Sequence, residues 1–176
     1  MSLTATNPYG YDTETKNNYI TVTSGGENDY FPSSYEILNG TYVSGAVADL
    51  SASDDSYLLI QAEKLGGKNA TYMVYTIDTD LTSLSSLTIT LESHPTVAPQ
   101  RQRVRVWDYT SGNWSGDVGD DTLNSTSDQT TVTPVPDPAD YIDPATGEVK
   151  LRVRTGDKTR DAWDHYIDMV KITAAP

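Results

Sequence analysis

The chain has 176 residues, 36% hydrophobic and 21% charged, and 25 acidic groups against 12 cations give it a formal charge of −13. That length suits one well-buried core better than two domains, and that charge argues against duplex nucleic acid or an anionic membrane as partner. With no cysteine, disulfides, thiolate metal sites and cysteine nucleophiles are excluded together.

The composition is weighted instead toward 16 Ser and 24 Thr. These favour solvent-facing strand positions, turns and caps over helix interiors, as in an extracellular β-protein with long polar loops. Nineteen Asp against six Glu leave turn chemistry, calcium loops and a high-salt habitat all open. No run reaches the ~18 apolar residues of a membrane-spanning helix, so no membrane insertion is expected. The opening MSLTATNPYGYDTETKNN has no basic region followed by an apolar one. A single module of a longer secreted or cell-surface protein is expected, with adjoining domains as partners.

Residues 1–17 are polar and aperiodic and predict a flexible arm. A single β-sandwich domain is expected over 18–174, with a short edge strand at 19–23 (YITVT). Residues 35–49 (YEILNGTYVSGAVAD) predict two short strands broken at Asn39-Gly40, a favoured tight-turn pair. Strands follow at 56–63 (SYLLIQAE) and 70–78 (ATYMVYTID) across the turn LGGKN. Residues 84–92 (LSSLTITLE) alternate cleanly, with Leu87, Ile89 and Leu91 on one side. Residues 102–110 (QRVRVWDYT) form the next strand, followed by a Gly- and Asp-rich connection and a broken strand at 130–135 whose Pro134 suits an edge or bulge. Two closing strands fill 147–173. About eight or nine strands, little or no helix and no internal repeat predict an all-β fold, a two-sheet antiparallel β-sandwich.

Four stretches, GTYVSGAVADLSASDDSYLLI, VRVWDYTSGNW, YIDPATGEVKLRVR and the closing YIDMVKIT, resemble a jelly-roll module of secreted prokaryotic proteins. The last resembles the closing strand of galactose-binding-like domains, which include many carbohydrate-binding modules. The resemblance implies a non-catalytic domain set beside enzymes or in surface proteins. It also implies a structural calcium helped by an Asp of the closing strand, where Asp168 stands.

Three groups of residues carry what function the sequence offers. Arg101, Arg103 and Arg105 alternate with Val104 and Val106 and share a face with Trp107 and Tyr109, while Lys150, Arg152 and Arg154 alternate around Leu151 and Val153. Arginine forks take carboxylates or sulfates in bidentate fashion, and Trp and Tyr stack on sugar rings, so these strands suit an anionic glycan. They also suit a solvated sheet face whose cations pair with neighbouring acids, the commoner case for such stripes. Asp54 and Asp55 before a strand, with Asp168, are the candidate calcium ligands, and Asp117, Asp120 and Asp121 offer a second acidic loop. Trp114 and Trp163 lie in loops and are either sugar platforms or plugs for the core. A plug is preferred for Trp114, and for Trp163 a ligand-binding role is carried forward.

His94 and His165 are the only imidazoles, and neither has a Ser in a nucleophile-elbow context, so no catalytic residue is assigned. Of four N-x-S/T sequons, those at Asn39 and Asn69 fall in tight turns, where Asn serves the backbone. The expected function is non-catalytic binding of a polysaccharide or glycan. The alternative is a structural or adhesion spacer with no small-molecule ligand.

Overall fold

The structure is a computed structural model that describes residues 26–156 and 158–176 in full, and 2–7 and 10–15 as backbone. In chain order the strands are β1 (Ser2–Asn7), β2 (Gly10–Thr15), β3 (Asn28–Tyr30), β4 (Ser34–Asn39), β5 (Thr41–Ser44) and β6 (Leu58–Gln61). Next come β7 (Glu63–Leu65), β8 (Lys68–Asp78), β9 (Ser86–Pro95), β10 (Gln100–Asp108) and β11 (Asn113–Trp114). The last are β12 (Gly119–Leu123), β13 (Gln129–Pro134), β14 (Glu148–Gly156) and β15 (Asp164–Ala175). The helical content described is two short 3-10 turns. β1 and β2 pair antiparallel as a sheet of their own, within the stretch read as an arm. The strand expected at 19–23 lies outside the described residues.

Two antiparallel sheets form the sandwich expected from the strand pattern. One runs β11-β10-β14-β8-β4, with β12 on β10 and β7 on β8. The other runs β13-β9-β15-β6-β5, with β3 on β15. Alternation decides what is buried. Leu87, Ile89 and Leu91 of β9 and Ile167, Val170 and Ile172 of β15 face Val104 and Val106 of β10, Val149, Leu151 and Val153 of β14 and Met73, Tyr75 and Ile77 of β8. All of these are less than one-tenth exposed.

Two glycines set strand entry. Gly40, at φ 116°, makes the turn by which the chain passes from β4 in one sheet to β5 in the other. Gly147, at φ 76°, starts β14, and a Cβ there would stand 2.4 Å from the Thr79 carbonyl oxygen. Asn39 ends β4 and Asn69 lies in β8 rather than in a turn, and both side chains tie distant backbone. Asn39 donates to the Glu63 and Ala70 carbonyls, and Asn69 to those of Arg160 and Asp161.

Candidate functional site

With Val104 and Val106 of β10 and Leu151 and Val153 of β14 held in the core, pleating turns Arg103, Arg105, Trp107, Lys150, Arg152 and Arg154 to the outer face. Register then brings them together: Arg103 stands opposite Arg154 and Arg105 opposite Arg152. On the far side of β14, Tyr72, Val74 and Thr76 of β8 stand opposite Arg154, Arg152 and Lys150. The cations of two strands distant in sequence thus form one patch.

Two adjoining grooves cross this face. The smaller, of about 190 Å³, is lined by Tyr72, Arg103, Arg105, Asp117, Arg152 and Arg154. Four guanidinium groups and one carboxylate give its lining a formal charge of +3 on a chain of −13. The larger, of about 560 Å³, is lined by Trp107 and Trp114, by Lys150, Val74 and Thr76, and by Ser34, Tyr35, Glu36 and Leu38 at the β4 edge. It spans five strands, roughly 19 Å at the ~4.8 Å strand spacing. Arg152 links the two grooves. Its guanidinium lies 4.5 Å from the Trp114 ring centre and 5.5 Å from that of Tyr72. Burial pulls the Arg152 pKa below its ordinary value, an effect that Tyr72 opposes and Arg105 deepens. The Trp107 and Trp114 rings meet edge to face, 5.3 Å apart.

Part of the cation stripe is neutralised internally. Arg105 donates from Nε to Asp117 at 2.6 Å, and Arg101 donates from Nε to Asp120 at 2.6 Å with its second fork nitrogen on the other oxygen. That hydrogen bond from Arg101 holds the Asp120 carboxyl below its usual range.

Two of the sequence-derived binding residues lie elsewhere. Trp163 is 2% exposed, with its ring tilted against His165. It folds back over the end of the core and offers no platform, which corrects the binding role given to it. Tyr109 follows β10 and donates its hydroxyl to Glu148 at 2.8 Å; it lines neither groove. Trp114, preferred as a plug, is instead a half-exposed residue of β11 paired with Trp107 on the open face. The signal was its place one hairpin away from Trp107, a relation that depends on where the turn falls.

At the other sheet, Asp55, Asp128 and Asp168 bring carboxylate oxygens within 4.8 Å of one another. Asp168 is 1% exposed and sits at a β-bulge between Ile167 and Met169. Burial raises its pKa, while backbone N–H groups of Asp54 and Asp55 bond to it and work the other way. Among the described residues its Oδ1 has no hydrogen-bond partner. Asp54 contributes backbone here, and its side chain caps the Ser56 N–H at 3.1 Å. The Asp54 carboxylate thus lies outside the cluster, and Asp128, which sequence reading missed, lies in it. The Tyr57 hydroxyl lies 2.7 Å from an Asp128 oxygen and 3.0 Å from an Asp55 oxygen, with one proton to give to either, and His94 bonds Asp128 at 2.7 Å while stacking on Tyr166. Three acidic residues, one with a buried orphaned oxygen, form a donor set that fits a hard cation.

Residues 46–169 match the family of N-terminal glycosyl-hydrolase-114-associated domains. The chain belongs to this family. No curated protein matches it. Among solved structures it is similar to a family 61 carbohydrate-binding module in complex with β-1,4-galactotriose, at 12% identity over 81% of this chain and 89% of that one, with a TM-score of 0.46. It is also similar to a family 29 carbohydrate-binding module from Piromyces equi, at 12% identity over 86% and 91%, TM-score 0.47. A family 4 carbohydrate-binding module shares 15% identity over 67% and 83%, TM-score 0.45. Likeness at this level carries no argument about what this chain binds.

Proposed function

We propose that this domain is a non-catalytic carbohydrate-binding module of a secreted or cell-surface protein, and that it takes an anionic glycan on the outer face of β10, β14 and β8. One observation carries the reading: a groove presenting two tryptophan rings, Trp107 and Trp114, adjoins one lined by four arginines, and Arg152 belongs to both surroundings. Aromatic rings supply apolar faces for sugar rings, and guanidinium forks supply bidentate partners for a carboxylate or sulfate. Membership of a glycosyl-hydrolase-associated family supports a glycan as ligand and a catalytic domain as neighbour. Binding to a panel of acidic, neutral and cationic polysaccharides tests the proposal. Retention by acidic polysaccharides is expected. Preference for neutral or cationic ones overturns the anionic part, and no retention by any overturns the whole.

The ion pairs Arg105–Asp117 and Arg101–Asp120 favour a second reading, a spacer module whose outer face is merely solvated. It predicts that last outcome.

We also propose a structural calcium held by Asp55, Asp128 and Asp168. It would supply charge balance for the buried carboxylate and tie the 51–57 loop, the β12–β13 loop and β15 together. A thermal midpoint unmoved by chelator overturns this.

A further inference from the structure

We propose that Asp117 is an internal competitor for the anion taken by the arginine-lined groove, and that it sets how much negative charge a glycan must carry to bind. The inference rests on the glycan-binding reading of this face. The guanidinium groups of the groove come from β10 and β14, but Asp117 comes from neither. It lies between β11 and β12, in a segment tied down at both ends. The Ser115 N–H donates to Val106 O and the Val118 N–H to Val104 O, both on β10. Between these ties, a Cβ placed on Gly116 would meet nothing among the described residues within 4 Å. The carboxylate at the tip accepts from Arg105 Nε at 2.6 Å. It can leave that position without breaking a ladder bond.

Asp120 shows the contrast. It stands on β12 directly opposite Arg103, pairs with Arg101 and does not line the groove. Asp120 neutralises a sheet face. Asp117 places a carboxylate on a guanidinium inside the groove, which is the contact that a uronate or sulfate ester would make. A glycan anion therefore meets a site whose Arg105 is already engaged. The lining carries +3 with Asp117 in place and +4 with it swung out. Densely charged glycans displace it more readily than sparsely charged ones.

The test compares the whole domain with its Asp117→Asn and Asp117→Ala variants by calorimetric titration. The probes are polygalacturonate, a sulfated glycosaminoglycan and a neutral glucan, at about 0.01 M and about 0.15 M salt. Both variants are expected to bind the acidic probes about two- to fivefold more tightly, with the gain shrinking at the higher salt and no gain on the neutral glucan. Binding by the variants where the parent shows none overturns the glycan reading of the natural domain, and the inference with it. Equal or weaker binding by both variants, while the parent binds acidic glycans, overturns it and leaves the glycan reading standing. If no protein binds an acidic probe, the glycan reading falls and takes the inference with it. Unchanged thermal midpoints show that the variants are folded.

Discussion

On the outer face of the β9–β15 sheet, acidic side chains have donors within reach, even where Asp55, Asp128 and Asp168 cluster. Lys171 holds Asp29 at 3.0 Å, Thr173 donates to the same carboxylate at 2.6 Å, and His94 bonds Asp128. On the outer face of the β10–β14 sheet, register sets Arg103 against Arg154 and Arg105 against Arg152. Like charges directly opposed across strands cost stability. Folding does not require them, because Val104, Val106, Leu151 and Val153 already hold both strands in the core. The conflict on this face is what the proposed glycan site there would put to use. The first face is accordingly a place to look for effects on stability, and the second for effects on binding.

The largest stability effect falls on β15. His165 is 2% exposed, its Nδ1 meets the Thr71 hydroxyl at 2.9 Å, and Trp163 packs against it. Burial, aided by the nearby His94, pulls its pKa from 6.5 down to about 3. The folded domain keeps this imidazole neutral where the unfolded chain would protonate it. Its contribution is complete above pH 6.5 and is lost as the pH falls toward about 3. The slope is about 1.4 kcal/mol per pH unit, roughly 5 kcal/mol over the window. Thermal midpoints of the parent should fall more steeply across this range than those of His165→Gln, which starts lower at neutral pH. Parallel slopes would show that His165 is not the titrating group.

Next in size is the acidic cluster of that same sheet. If it holds calcium at about 100 times the dissociation constant, chelation should remove about 2.7 kcal/mol, roughly 5–10 °C in the midpoint. Asp128→Asn should abolish the response to chelator. Glycan affinity should not move in either case, because no cluster residue lines the grooves. A joint loss of stability and affinity would break the division between the two faces.

Much of this division was legible in the chain, and the rest was hidden for identifiable reasons. β9 alternates throughout, and β10 and β14 alternate up to their last residue, so the inward and outward residues of their centres could be assigned from period alone. β12 reads GDDTL and β11 is two residues long; neither has an apolar period to detect. In β15, strict alternation from Val170 and Ile172 carries Tyr166 inward. The bulge after Ile167 reverses that, burying His165 and Ile167 and leaving Tyr166 to stack on His94. Asp128 lies in a Ser-rich loop forty residues before Asp168, and only the fold brings the two together. Whether Trp163 folds inward from a polar loop is decided by packing, which has no local signature.

The proposed binding face gives the smaller effects. Arg152→Gln should weaken acidic-glycan binding about tenfold, because it removes the fork that faces both Trp114 and the arginine groove. Its thermal midpoint should hold or rise, since the opposition between Arg105 and Arg152 is relieved. A matching loss of midpoint would make Arg152 a structural residue. Tyr109→Phe draws the boundary of the face. Its ring lines neither groove and its hydroxyl is spent on Glu148, which also holds Lys150 at 2.7 Å. Removing the hydroxyl costs about 1 kcal/mol of stability, about 2–4 °C, through that lost bond. It should leave glycan affinity within about twofold of the parent, because Lys150 keeps its carboxylate partner and neither tryptophan is touched. A tenfold loss of affinity on this one substitution would extend the binding face past the end of β10, and the two grooves would no longer bound it.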